Sequence, residues 1–253
     1  MRQYYKFLIS KFHSTPFRQD NVIASFMLGL AGLMLAQALQ HNDGFFSYLG
    51  ILLLSLMLLF LFISMSLGKL NASVEAVFKK ISFPILLLGM FWQLYQLWST
   101  LPGFDILPSA ISTLWLFKLG VGVAGCLAAL SLLPNSWISP AWRTLLVVLT
   151  LATVWFLGVW VIKTAPQPKI DVFVFHQASA QALLSGENPY TAKVPNIYGD
   201  LDYYGAELVD EQAYLTIGNP YPPLTIYIST LGYLVGGDVR YSHLLVFVLS
   251  GAI

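Results

Sequence analysis

The residues in this chain best suited to chemistry fall in one stretch, Asp171–Tyr190, reading DVFVFHQASAQALLSGENPY. It follows the charge-free apolar run Thr144–Ile162 and opens a polar segment over residues 163–222, before the sequence turns apolar again at Pro223. A carboxylate at Asp171 could take a proton from a hydroxyl. His176 stands five residues further on, which on a helix turns it about 140° away from Asp171. It is therefore expected to line the pocket and not to partner the acid. Tyr190 and Tyr221 each close an Asn-Pro-Tyr tripeptide. Tyrosine rings stack on sugar faces while their hydroxyls read sugar hydroxyls, although aromatics at these places also suit a membrane interface. Lys169 could neutralise a leaving anion, as could Lys163, which serves equally as a snorkelling anchor. The acids are scattered without a paired site, so no metal is expected. HExxH, GxSxG, P-loop and CxxC patterns are missing from the sequence, so hydrolase, nucleotide and zinc chemistry have no local support and no cofactor is expected.

These residues need elements to hold them. Asp171–Ser185 reads as an amphipathic helix at the membrane surface, ended by Gly186 and a turn at Asn188-Pro189. Val172, Phe175, Ala178, Ala182 and Leu183 are expected on apolar surface, with Gln177 and Gln181 facing water or substrate. Asp171 suits the N-cap, a role compatible with that of a base. The remainder, Ala192–Thr216, carries Tyr198, Tyr203, Tyr204 and Tyr214 among acids and glycines. It is too long to be a mere connection.

With 57% hydrophobic and 10% charged residues, the chain is a membrane protein by composition. Its 13 basic and 12 acidic residues nearly cancel, which gives no reason to expect nucleic acid. The lone Cys126 is expected as a small buried side chain. About seven runs have spanning character: Val22–Gln40, Tyr48–Gly68, Ile81–Ser99, one within Ala110–Trp137, Thr144–Ile162, Pro223–Gly236 and Tyr241–Ile253. For the fourth, either Ile106–Phe117 lies in the interface and the span starts near Leu119, or Lys118 snorkels; the first is the working expectation. The chain ends inside the last run, which suggests the N-terminal portion of a longer protein. Gly120, Gly122 and Gly125 spell GxGxxG without a preceding strand, so small-residue helix packing is expected there and not a dinucleotide site. Asn71-Ala72-Ser73 reads as a turn or cap.

The basic residues give an orientation. Arg2, Lys6, Lys11 and Arg18, then Lys69–Lys80, Arg143 and Arg240, mark one side as cytoplasmic. The loops His41–Ser47 and Thr100–Ser109 lack Lys and Arg and fall on the other side, together with the acid-rich segment 163–222. The expected architecture is all-α, a polytopic membrane helix bundle with one long outward-facing loop carrying a juxtamembrane amphipathic helix. Its parts are a basic cytoplasmic segment 1–21, a four-span bundle 22–143 and a core 144–253. The location is a cell (inner) membrane, with the loop periplasmic or extracellular.

Ile170-Asp171, then Ala182-Leu183-Leu184-x-Gly186-x-Asn188-Pro189-Tyr190, and later Tyr221-Pro222-Pro223-Leu224, resemble the GT-C membrane glycosyltransferases. The nearest likeness is to bacterial relatives of the polyprenyl-phosphate-mannose-dependent mannosyltransferases, over residues 144–253. In that superfamily an Asp in the first outward loop, just after a transmembrane helix, is the catalytic base, and Asp171 matches it. The resemblance implies an inverting transfer of a hexose, such as mannose, from a polyprenyl-phosphate carrier to a glycan or lipid acceptor. The family usually reaches this loop after its first span, so the four preceding spans look like an added N-terminal bundle. The alternative from a different class is a non-catalytic membrane scaffold or transporter component. A transporter would carry ionisable residues inside its spans and repeated halves, and Lys118 is the only charge in a candidate span.

Overall fold

A computed structural model describes residues 22–41, 47–66, 72–102, 106–133, 136–199 and 201–252. The basic segment 1–21 and Asn71 lie outside the described residues. The chain is mostly helical and divides into two compact units, Met1–Tyr95 and Gln96–Ile253. This division falls inside one helix, well ahead of the functional division expected at residue 144.

Among the described residues, four helices are long and apolar enough to cross a membrane: Ile23–Gln40, Tyr48–Ser66, Pro108–Ser131 and Pro140–Thr164. Their outward faces carry large apolar side chains, Phe62 and Phe156 among them, as a surface against lipid requires. Pro223–Gly236 is apolar but shorter. The run at 81–99 forms the later part of a helix over Ala72–Ser99, where Gln93 and Gln96 dilute the apolar residues.

The first unit holds α1 (Val22–His41), α2 (Tyr48–Ser66) and most of α3 (Ala72–Ser99). Helix α1 packs along α2 and buries Ile23, Phe26, Ala31 and Ala38. Leucines pack directly over its glycine contacts with α3: Leu86 lies over Gly29 and Leu33 over Gly89. Small residues let apolar helices approach where lipid supplies no hydrophobic drive.

In the second unit a 3₁₀ turn over Pro108–Thr113 leads into α4 (Leu114–Ser131). The helix runs unbroken through Lys118, and Leu114–Phe117, expected in the interface, make its first turn. Helix α4 packs on α5 (Pro140–Thr164), with Gly120 under Leu157. That is the small-residue packing expected of the GxGxxG run. Cys126 is exposed and not buried; on an apolar helix an outward position suits a small apolar side chain as well as an inward one. Arg143 reaches back from the first turn of α5 to the carbonyls of Ser131 and Leu133, at 3.0 and 2.5 Å. It thus supplies donors to the orphan carbonyls at the end of α4.

Beyond α5 come α6 (Asp171–Leu184), β1 (Val194–Pro195), the short α7 (Leu201–Tyr204), β2 (Tyr214–Leu215), α8 (Pro223–Gly236) and α9 (Arg240–Ser250). Strands β1 and β2 pair antiparallel, Val194 opposite Leu215. The all-α expectation is corrected to that extent, since two-residue strands are too short to leave an alternating pattern in sequence. The segment after α6 is a small folded cap. Val194 and Leu215 close over Phe175 of α6, and Val174, Ala178, Tyr204, Val209, Ile217 and Tyr221 pack around them. Helix α6 also packs on α8, and α9 lies against both α8 and α5.

Candidate functional site

Helix α6 starts as expected, but Asp171 is not its cap. Ile170 holds the extended N-cap conformation (φ −138°, ψ 127°) and Asp171 is the first helical residue. Its N–H is one of the orphan donors of a helix start, and it donates to the Tyr198 hydroxyl at 3.3 Å. The carboxylate is held at both oxygens: Val172 N–H donates to Oδ1 at 2.7 Å and the Tyr204 hydroxyl donates to Oδ2 at 2.9 Å. Each oxygen keeps a further lone pair. The folded cap therefore orients the acid without using up its capacity to accept a proton.

Tyr198, Tyr203 and Tyr204 form an aromatic cluster beside it, with centroids 4.4 Å apart for Tyr198–Tyr203 and 4.9 Å for Tyr203–Tyr204. Burial, and then the hydrogen bond to Asp171, push the Tyr204 hydroxyl well above the usual tyrosine range. Tyr204 stays a neutral donor at every physiological pH. Burial raises Tyr198 likewise, and raises Tyr221, which also feels the negative charge of Asp171. Tyr203 is 59% exposed, an aromatic face open to a ligand.

His176 is buried on the opposite side of α6, as the helical turn requires. It stacks on Tyr221 at 4.6 Å with 22° between planes, and its Nδ1 lies 3.0 Å from Ser229 Oγ on α8. Burial, reinforced by neighbouring His243, lowers its pKa. The Tyr221 ring thus packs on His176 and edge-on to Phe175. An apolar cleft of about 250 Å³ opens beside this region, walled by Ile170, Phe173 and Val239 with His176, Arg240 and His243 as its polar members. Arg240 sits over the Phe173 ring at 4.9 Å and pairs with Asp238 at 2.6 Å.

The two Asn-Pro-Tyr tripeptides make the same side-chain turn. Each asparagine Oδ1 accepts from the tyrosine N–H two residues on, at 3.0 Å for Asn188 and 2.8 Å for Asn219, the Asx turn that this residue favours. They are also joined: Tyr190 donates its hydroxyl to the Tyr221 carbonyl at 3.2 Å. Buried Asn219 donates to Ser179 Oγ at 2.5 Å, and Ser179 donates to the Pro189 carbonyl at 3.1 Å. Gly218 packs so closely on the Tyr190 carbonyl that a side chain there would collide. Tyr190 and Tyr221 are thus fixed relative to α6 as one clasp.

Of the residues singled out in sequence, Asp171, His176, Tyr190 and Tyr221 come together in this way. Lys169 lies exposed on the stretch between α5 and α6, and Lys163 is exposed in the last turn of α5. Phe175 and Ala182 are buried as expected, but Val172 is 39% exposed at the cleft. Gln181 is exposed as expected, whereas Gln177 is half-buried and turned to protein. Gln177 brackets the α8–α9 corner, donating to the Gly237 carbonyl at 2.9 Å and accepting from Val239 N–H at 3.3 Å, while Gln181 donates to the Tyr233 hydroxyl at 3.2 Å. The α8–α9 corner takes up Gln177 on a second side of α6, which a single amphipathic pattern does not reveal.

Sequence reasoning missed the roles of Tyr198, Tyr204, Ser229 and His243. The tyrosines stood out only as a cluster, and nothing local ties a serine and a histidine in apolar helices to a histidine more than fifty residues away. Among the described residues, no group of three or more His, Cys, Asp or Glu converges as a metal site. No family model, curated protein or solved structure matches this chain, so its functional reading rests on its own residues and their geometry.

Proposed function

We propose that this chain belongs to an inverting membrane glycosyltransferase in which Asp171 is the general base. The observation that carries the reading is the Asp171 carboxylate, held at 2.9 Å by Tyr204 at the head of a helix that follows a membrane-length helix. The motif resemblance supports it. Asp171 accepts the proton of an acceptor hydroxyl as that oxygen attacks the anomeric carbon, and the polyprenyl phosphate leaves from the opposite face. General-base assistance of this kind is worth about 10²- to 10⁴-fold. The exposed Tyr203 ring, with Tyr190, offers faces for the sugar. Lys169 and Lys163 supply positive charge on the approach to the site for the departing phosphate. The transferred sugar is a hexose and the acceptor a glycan or lipid.

The same reading gives a topology of about seven spans, with the N-terminus cytoplasmic and residues 163–222 outside a cell (inner) membrane. Labelling of an introduced cysteine tests that arrangement. The site must be exposed, which excludes fully buried Ser179 and favours Glu187. Glu187→Cys in a Cys126→Ser background is expected to react with an impermeant reagent in intact cells, and reaction only after permeabilisation overturns the map.

The decisive test of function is Asp171→Asn in the full-length protein. Sugar transfer from a radiolabelled polyprenyl-phosphate donor is expected to fall at least about 100-fold at normal protein level. The amide keeps one carbonyl oxygen, and the Tyr204 hydroxyl can turn to accept from its NH₂, so stability should change little. A normally expressed variant that keeps most of its transfer removes Asp171 from the mechanism.

A further inference from the structure

Three helices meet at one hydroxyl. Ser229 on α8 is fully buried, and its Oγ lies 3.0 Å from His176 Nδ1 on α6 and 3.1 Å from His243 Nε2 on α9. The two imidazoles stand edge to face, 5.7 Å apart at 85°. A serine hydroxyl has one proton to give. It can donate to only one of the two nitrogens, so with both histidines neutral the other ring must donate to the serine oxygen. The rings are held in complementary states, one nitrogen bare and the other protonated. One added proton on the far nitrogen of the donating ring leaves both bonds intact. A second places two cations 5.7 Å apart, and at an effective dielectric of about 20 their repulsion weakens its binding roughly a hundredfold.

What this arrangement holds is the ring of Tyr221. His176 stacks on that ring, and Tyr221 in turn feels the charge of Asp171. The other ionisable groups on elements packed around the pair are Asp171 at the head of α6, Tyr227 and Tyr233 on α8, Asp238, Arg240 and Tyr241 at the α8–α9 corner, and Arg143 and Lys163 at the two ends of α5. Asp238 and Arg240 are paired with each other. Below neutral pH it is therefore the two histidines that change the local charge.

We propose that Ser229 and His243 are positioning residues: through the shared hydroxyl they fix the His176 imidazole, and with it the Tyr221 ring stacked on it, in a registry that survives one proton on the pair and is lost on the second. This rests on the base role proposed for Asp171 and adds to it residues on two helices that do not reach the acid. The depressed pKa of His176, caused first by burial and then by His243, agrees with a pair that resists full protonation.

The test combines ¹⁵N-histidine NMR on the full chain in nanodiscs, from about pH 8 to about pH 4.5, with the pH profile of sugar transfer. Because they meet the hydroxyl through different nitrogens, the two histidines of the wild type are expected in the same tautomer, both Nε2–H or both Nδ1–H, titrating in two steps at least tenfold apart in proton affinity. Ser229→Ala should abolish the tautomer locking, shift the Tyr221 ring resonances and raise the acceptor KM about tenfold or more. His243→Gln keeps an amide donor toward Ser229 but cannot be protonated, so it should turn two histidine steps into one and move the acid limb of the transfer profile. Should Ser229→Ala fail to fold, the wild-type spectrum and His243→Gln decide the matter. Opposite tautomers, or a common titration, in the wild type overturn the shared-hydroxyl arrangement. A clasp seen by NMR with an unmoved acid limb in His243→Gln refutes the positioning role. Retained transfer in Asp171→Asn defeats the catalytic reading while the NMR arm still decides the clasp.

Discussion

The two compact units solve helix packing by different chemistry. In the first, contacts are apolar and close, with leucines over glycines between α1 and α3. Its buried polar atoms Ser64 Oγ and Gln93 Nε2 have no hydrogen-bond partner. In the second, the buried polar side chains Thr164, His176, Ser179, Asn219, Ser229, Thr230 and Ser242 are all hydrogen-bonded. Burying a polar group without a partner costs free energy, whereas a satisfied network fixes one arrangement. The difference teaches that geometric definition is concentrated around α6, where the candidate base lies. The first unit needs only close packing.

The hardest blow to that contrast falls on the core under the cap. Phe175 is buried between Val194 and Leu215, so Phe175→Asp loses a large apolar contact and buries a charge. It should cost more than about 4 kcal/mol and deplete folded protein. Gln181→Asp loses one bond on an exposed residue, and its cost should stay within about 1 kcal/mol. Comparable folded yields of the two variants in detergent, read by size-exclusion chromatography, would show that the cap does not close over α6.

Serine-to-alanine changes sharpen the comparison directly. Ser179→Ala removes one partner of the Asn219 amide, leaving it only the 3.4 Å bond to the Phe175 carbonyl, and frees the Pro189 carbonyl; it should cost about 2 kcal/mol, loosening both tyrosine turns. Ser64→Ala removes an oxygen that has no partner and should be neutral or stabilise by up to about 1 kcal/mol. Thermal unfolding of the two variants measures the sign as well as the size. Equal losses would mean that the networks of the second unit contribute nothing special.

Much of the architecture was legible because lipid imposes simple rules: long apolar runs became helices, and α6 began at Asp171 and ended before Gly186 as its punctuation required. What was illegible is long-range. Tyr204 reaches Asp171 across thirty-three residues, and Gln177 holds a corner sixty residues away, whereas periodicity reports only which face of a helix is apolar. The N-cap reading of Asp171 failed for a related reason. Sequence placed an acid at the helix start, but the cap geometry fell to Ile170 because a tyrosine hydroxyl from the cap already met the first N–H.

The smallest effect probes the networks through pH. Burial, and then His243, hold the folded pKa of His176 below the ordinary value of 6.5, while the unfolded chain titrates near that value. As pH falls from about 6.5 towards the folded pKa, the unfolded state therefore binds more protons than the folded one, and stability falls with pH. Above about 6.5 the histidine is neutral in both states and adds no slope. Unfolding temperatures in detergent between about pH 7.5 and pH 5 should decline for the wild type, in a window above the carboxylate range. His176→Gln removes the titrating ring and should flatten that decline, even though losing the stack on Tyr221 lowers its stability at neutral pH. An unchanged slope would mean that His176 meets protons equally well in both states, and its burial against Ser229 and Tyr221 would then be no part of what holds α6 to α8.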